Sequence, residues 1–387
     1  MWIRKFAFAA LVICFVLTSC LQGCRPAAKN EELPPEFDIV TEAWQLLQQD
    51  YIDKDKLDPK KLSQGAVRGM LEALDDPYST YVEPEIRELE LSDFEGKFEG
   101  IGAEITIRDK QLTIVTPLSN SPAEKAGLRP GDKIVKINGE PTSKMSLVEA
   151  TLKIRGPKGT AVNLTILRDD NAEPFEVQII RDEIKLQSVI YEMRDKIGYV
   201  KITRFQKSTG RDLRNALKDI INRSGQGVVL DLRNNPGGVL EAAVDVASEF
   251  LAMGTVAQVI DNKGNQSVIP VRPGGIGTKL HLIVLVNNGS ASASEIVAGA
   301  LQDYGKAKLA GSKTFGKGSV QMVRELNDGS AVHITAYRWL TPHGKPIEGV
   351  GLSPDFALDL EGDQLVDWAI NYLNSLIKSA CMINAYL

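Results

Sequence analysis

The chain has 387 residues, of which 43% are hydrophobic and 25% charged, with a formal net charge of −5; this allows two or three domains with sizeable cores. The acidic balance and the lack of basic runs argue against nucleic acid as the main partner. Four cysteines and three histidines, none at ligand spacing, give neither a disulfide framework nor a metal site, so no metal and no cofactor is expected.

Arg4 and Lys5 precede an apolar run from Phe6 to Leu17, too short to span a bilayer comfortably, and together they read as an export signal. The run ends in Leu17-Thr18-Ser19-Cys20, which resembles the bacterial lipobox, in which the cysteine is lipidated and becomes the new N-terminus. Cys20 is therefore the candidate lipid anchor, Leu21-Gln22-Gly23-Cys24 is a weaker second match, and cleavage by ordinary signal peptidase without a lipid is the alternative. A signal peptide over 1–19, a linker over 20–36 and a protein held at the membrane of the bacterial cell envelope, outside the cytoplasm, are expected.

Phe37, Val40, Trp44, Leu47 and Tyr51 recur at helical spacing, and a second helix is signalled by Asp58-Pro59, then Leu62, Ala66, Met70, Leu71 and Leu74, ending at Asp75-Asp76-Pro77. These helices, within a region expected over 37–93, carry a packing stripe and no reactive cluster, so docking or dimerisation is their expected role.

From about Phe94 the period changes to short strands, and the stretch expected over 94–182 resembles a PDZ domain. Gly100-Ile101-Gly102-Ala103 stands where PDZ domains carry their carboxylate-binding loop, and the text SPAEKAGLRPGDKIVKING from Ser121 to Gly139 follows in the family's order. Glycines let successive N–H groups converge on a chain-end carboxylate while the peptide adds as a strand to the sheet edge. Leu147, Ala150, Thr151 and Ile154 are expected to face that groove from a helix, and Arg155 is either a sensor of the bound end or an ordinary turn arginine.

Strand-helix alternation then sets in: a strand over Ile197–Ile202, a helix over Leu213–Ile221, a strand over Val228–Leu232, and a helix through Leu240, Ala243, Val244 and Phe250. Between the last two lies Arg233-Asn-Asn-Pro-Gly-Gly238, where a glycine pair can leave N–H groups free for an oxyanion or can simply make a tight connection. The pattern repeats at Leu282–Val286, followed by Asn287-Asn288-Gly289, serines at 290, 292 and 294, and Glu295 opening a helix. Such a turn could present a nucleophile, although Ser before Glu is equally an ordinary helix cap, and the stretch alone does not choose among its serines.

Lys317 follows, set between Gly316 and Gly318. The run from Gly311 to Lys317 imitates a phosphate-binding loop until Gly318 takes the place of the required Ser/Thr. A serine-histidine triad has little support, with only His281, His333 and His343 available and no G-x-S-x-G elbow. A lysine desolvated in an apolar site loses its proton more readily and can then act as a base, so Lys317 is the better candidate.

The order of these elements is similar to that of the carboxyl-terminal processing peptidases, also called tail-specific proteases. The resemblance runs through Asp75-Asp-Pro-Tyr-Ser79, the PDZ insert, Asp231–Gly238, Ser290-Ala-Ser-Ala-Ser-Glu295, Phe315-Gly-Lys-Gly318 and Gly351-Leu-Ser-Pro-Asp355. It implies a multidomain α/β protein with N-terminal helices, an inserted β-rich PDZ domain carrying two helices, and a ClpP/crotonase-like α/β protease core over 183–360, closed by a C-terminal helix and tail over 361–387. It further implies Ser292 as nucleophile, Lys317 as base, Gln321 as the residue orienting the lysine, and the backbone N–H groups of Gly238 and Ala293 as the oxyanion hole. The function implied is a serine endopeptidase cutting exported proteins near their C-termini, gated by its PDZ domain, with a homodimer or an adaptor protein as further partners to consider. A non-catalytic PDZ-containing binding or scaffold protein on the same fold is the rival reading.

Overall fold

The computed structural model describes residues 33–168 and 173–385; the export signal, Cys20 and Cys24 lie outside them. The chain divides into two compact units, Met1–Ala66 and Val67–Leu387. In the first, α1 (Asp38–Asp50) carries the expected apolar stripe, yet none of its residues is buried. Helix α2 (Pro59–Glu72) starts there, where the Asp58 carboxylate accepts the N–H groups of Lys60 and Lys61.

The second unit opens with β1 (Thr80–Val82), which pairs antiparallel with residues 331–333 far along the chain. Helix α3 (Pro84–Glu95) leads to β2 (Lys97–Gly100), and β2 pairs with β9 (Asp182–Lys185), so the two ends of the inserted domain are zipped together. Between them stand β3 (Ala103–Arg108), β4 (Gln111–Pro117), α4 (Pro122–Lys125), β5 (Lys133–Ile137), β6 (Glu140–Pro141), α5 (Leu147–Ile154), β7 (Ala161–Leu167) and β8 (Phe175–Ile180). The sheet runs β3-β4-β5-β7-β8 around a core of Ile101, Ile114, Ile134, Val162, Leu164 and Ile166. Ala150 and Ile154 belong to that core; of the α5 residues expected to face the groove, Leu147 is exposed and Thr151 half-buried.

The remaining chain builds β10 (Val189–Arg194), β11 (Ile197–Ile202), α6 (Thr209–Asn222), β12 (Gly227–Asp231), α7 (Leu240–Phe250), β13 (Thr255–Asp261), β14 (Gln266–Pro270), β15 (His281–Val286), α8 (Ala293–Asp303), β16 (Lys308–Gly311), β17 (Ser319–Glu325), β18 (Ala331–Leu340), β19 (Phe356–Ala357) and α9 (Gly362–Ala385). Strands β11, β12, β15, β16 and β19 run parallel in one sheet, with β10 antiparallel at its edge. Alternation along β15 shows why its sequence is apolar throughout: Leu282, Val284 and Val286 join the core with α6, α7 and α8, while Ile283 and Leu285 join the one with α9. A second sheet contains β1, β13, β14, β17 and β18, with β17 and β13 both paired to β18. Because the central strands are parallel, the loops after β12, β15 and β16 all leave from one edge, where open α/β sheets bind their ligands.

Candidate active site

The loop after β12 is held in place by buried polar side chains. Asp231 accepts from Arg233 Nε at 2.9 Å and from the Tyr199 hydroxyl at 2.8 Å, and Arg233 also donates to the Gly362 carbonyl at 2.9 Å. Asn235 is fully buried: its amide donates to the Ile202 carbonyl, its side-chain oxygen accepts from Gly237 N–H, and its own carbonyl accepts from Ala291 N–H and the Ser294 hydroxyl. The loop is thereby tied to the serine-bearing turn after β15.

Two consecutive glycines follow from the resulting closeness. At φ +100 Gly237 faces the serine turn so tightly that a Cβ would lie 2.8 Å from the Ala291 carbonyl oxygen and 2.9 Å from Ser292 Cβ. Gly238, at φ +141, packs on the Phe205 carbonyl, which a Cβ would overlap. Among the described residues, neither Gly238 N–H nor Ala293 N–H makes a hydrogen bond, the latter because it opens α8.

The three serines differ sharply. Ser290 and Ser294 are buried and donate their hydroxyls to the Leu232 and Asn235 carbonyls, each at 2.8 Å. Ser292 is half-buried and sits at the N-cap of α8 with φ 55° and ψ −114°, a backbone conformation that costs on the order of 1–3 kcal/mol and persists only where its surroundings hold it.

What imposes it is Glu295, in the first turn of α8. Its buried carboxylate takes the Ser292 N–H on Oε2 at 2.9 Å and the Lys317 N–H on the same oxygen at 2.9 Å. Oε1 accepts from Gly316 N–H at 2.8 Å and the Thr314 hydroxyl at 2.6 Å. Sequence shows Glu295 only as a helix-cap residue; nothing local to it signals that one oxygen bridges the serine turn to the lysine loop.

Lys317 is half-buried. Burial lowers its pKa from the ordinary 10.5, against the opposing pull of the Glu348 and Asp76 carboxylates. Nζ lies 4.6 Å from the centroid of the Tyr78 ring. Gln321 Nε2 donates to Ser319 Oγ at 3.0 Å and Thr335 Oγ1 at 3.2 Å; no hydrogen bond joins it to Lys317 among the described residues. His281 opens β15 at its far end, and His343 stands at the far end of α8 beside Asp303. No group of three His, Cys, Asp or Glu that could hold a metal occurs among the described residues.

In the inserted domain, Ile101 and Gly102 accept from Ala123 and Leu118 N–H through their carbonyls, while their own N–H groups make no hydrogen bond among the described residues. Gly100 pairs with Asp182, and Ala103 opens β3, an edge strand. Arg155 ends α5 with its guanidinium 4.1 Å from the Phe98 ring centroid and 2.7 Å from Ser92 Oγ on α3.

Comparison with known proteins agrees with this layout. The profile of peptidase family S41 matches residues 196–358, a PDZ domain matches 90–167, and the N-terminal domain of the activating protease CtpB matches 20–86. The carboxy-terminal processing protease CtpA of Bacillus subtilis is 38% identical over 354 residues, covering 91% of this chain and 74% of the relative. A Staphylococcus aureus protein named "Probable CtpA-like serine protease" is 40% identical over 322 residues, and the chain spans 64% of its length. Among solved structures, the photosystem II D1 C-terminal processing protease matches at 31% identity with a TM-score of 0.53, over 84% of this chain and 94% of that one. An S41 protease from Bacteroides fragilis, at 19% identity and TM-score 0.54, shares the fold over 86% of this chain and 97% of that one.

Proposed function

Because this chain belongs to the carboxy-terminal processing proteases of peptidase family S41 and carries their PDZ domain, we propose that it is a Ser-Lys endopeptidase that cuts exported proteins near their C-termini. One observation carries the reading. A single buried carboxylate oxygen, Glu295 Oε2, binds the backbone N–H of both Ser292 and Lys317, fixing one half-buried serine and one half-buried, pKa-lowered lysine to the same point.

The chemistry is acyl transfer. Neutral Lys317 takes the proton of the Ser292 hydroxyl as Oγ attacks the scissile carbonyl carbon. The carbonyl oxygen gains negative charge opposite the unpaired N–H groups of Gly238 and Ala293, a kind of contact whose removal costs on the order of 3 kcal/mol in other serine enzymes. The lysine ammonium returns its proton to the leaving amine, the C–N bond breaks, and water hydrolyses the acyl-enzyme by the same route. Gln321, which the family resemblance assigns to orienting the lysine, holds the Ser319 and Thr335 hydroxyls. Substrates are proteins with accessible chain ends, whose terminal carboxylate is taken by the Gly100–Ala103 loop with the free N–H groups of Ile101 and Gly102, the peptide adding to the edge of β3. Export and lipidation at Cys20 place the enzyme at the cell envelope.

The test is cleavage of a peptide with an apolar C-terminus by purified full-length protein. Ser292→Ala and Lys317→Ala each abolish cleavage with the melting temperature kept, and fluorophosphonate labels Ser292 in the parent protein when the peptide is present. A Lys317→Ala protein that still cleaves refutes the dyad. Absence of both cleavage and labelling in the parent protein supports a binding or scaffold protein instead.

A further inference from the structure

The turn Asp75–Ser79, known from sequence only as part of a family pattern, lies against the lysine. Lys317 Nζ makes no hydrogen bond among the described residues, and the aromatic face of Tyr78 at 4.6 Å is its close partner. A half-buried ammonium with three donors and no acceptor is poorly solvated. An aromatic face supplies the missing stabilisation through its quadrupole.

The ring is placed by its backbone. Asp76 accepts the Tyr78 N–H at 3.1 Å and the Ser79 hydroxyl at 2.6 Å, and Ser79 Oγ in turn accepts Thr335 N–H at 3.1 Å. Thr335 is the residue whose hydroxyl accepts from Gln321. Directly after the turn, β1 is zipped to β18 from Thr80 against His333 to Val82 against Ala331. The Tyr78 hydroxyl makes no hydrogen bond among the described residues, so the ring face is what this construction delivers.

We propose that Tyr78 is a positioning residue for Lys317: its ring confines the amine to one place and stabilises the ammonium that forms when the lysine takes the serine proton. The inference rests on the reading of Lys317 as the base. Besides the ring, the charged groups facing this lysine are Asp76 from the same turn, Glu348 from the loop before β19, and Glu295 from α8, which binds its backbone. Removing the ring leaves those carboxylates in place and takes away one stabiliser of the ammonium. The lysine then gives up its proton at lower pH.

The experiment compares Tyr78→Phe, Tyr78→Leu and Tyr78→Met in the full-length protein by pH profiles of kcat and kcat/KM for the same peptide, with melting temperatures and Lys317→Ala alongside. Tyr78→Phe keeps the parent values. Tyr78→Leu and Tyr78→Met lose about tenfold in kcat with KM within about twofold, and their acid limb moves toward acid by about half a unit to one unit. If either folded aliphatic variant keeps its acid limb in place, or if Tyr78→Phe behaves like the aliphatic variants, the proposal is overturned. Cleavage by Lys317→Ala brings down the base assignment and the inference with it, whereas an inactive Lys317→Ala beside parent-like aliphatic variants brings down the inference alone.

Discussion

Replacing Glu295 by Gln tests whether one carboxylate aligns nucleophile and base. The substitution preserves shape and exchanges one oxygen for an NH2. If the NH2 occupies the Oε2 position, it confronts the N–H groups of Ser292 and Lys317, both 2.9 Å away. In the Oε1 position it confronts Gly316 N–H and the Thr314 hydroxyl oxygen, which already accepts Leu352 N–H at 2.7 Å. The second orientation is the milder one, because the threonine oxygen tolerates another donor. It still strands one buried N–H, at about 1–3 kcal/mol, and removes the charge assistance from the other bonds. A total near 3 kcal/mol lowers the melting temperature by roughly 6–12 °C for a domain of this size. Loss of the shared anchor lets the two loops drift, and a displacement of about 1 Å costs about a hundredfold in rate. Thermal melts and kcat/KM on the C-terminal peptide read the two effects separately. A Glu295→Gln protein with parent kcat/KM refutes the alignment argument even if its melting temperature falls, because the carboxylate would then support the fold alone.

The pH profile follows from the lysine. Its pKa lies below 10.5 through burial, opposed by Glu348 and Asp76, and a base works only when neutral, so activity rises with pH through that value and is lost as pH falls. Glu348→Gln removes a carboxylate that favours the ammonium and shifts the rising limb to lower pH; a profile flat into mild acid, or a limb unmoved in the variant, contradicts a lysine base. Gly237→Ala places a methyl 2.8 Å from the Ala291 carbonyl oxygen and 2.9 Å from Ser292 Cβ at φ +100. It is expected to reduce cleavage at least a hundredfold, and parent-like cleavage by this variant would show that the two loops do not meet as described.

Three strands and three helices of the core are readable from pattern because each buries a continuous apolar run, as in β15, or a face, as in α6, where Leu213, Leu217 and Ile220 are buried. The choice among the serines needed more than local pattern. Ser290 and Ser294 are tied by hydroxyl bonds to carbonyls 58 and 59 residues away, pairings that no window of sequence contains, and this supports Ser292 as the proposed nucleophile. Strand β1 escaped notice for a related reason: three residues are too few to show a period, and their partners lie at 331–333. On α5, spacing does not separate groove from core: of the four residues in its stripe, Ala150 and Ile154 join the domain core while Leu147 stays exposed and Thr151 half-buried.

The lysine loop shows why such distant partners matter. Its backbone is gripped from two sides, by Glu295 through Lys317 N–H and by Trp339, whose indole N–H donates to the Lys317 carbonyl at 3.0 Å and whose backbone N–H donates to Gly318 at 2.8 Å. Glu295 belongs to α8, packed on the parallel sheet, and Trp339 belongs to β18 of the second sheet. The position of the lysine loop relative to the serine turn is therefore set by how the two sheets meet. With the backbone held at both N–H and carbonyl, side-chain torsions are what remains to place Nζ, and the Tyr78 ring 4.6 Å away is where the proposed restraint on them acts. That division explains why residues on opposite ends of the sequence, Tyr78 and Trp339, converge on a single lysine.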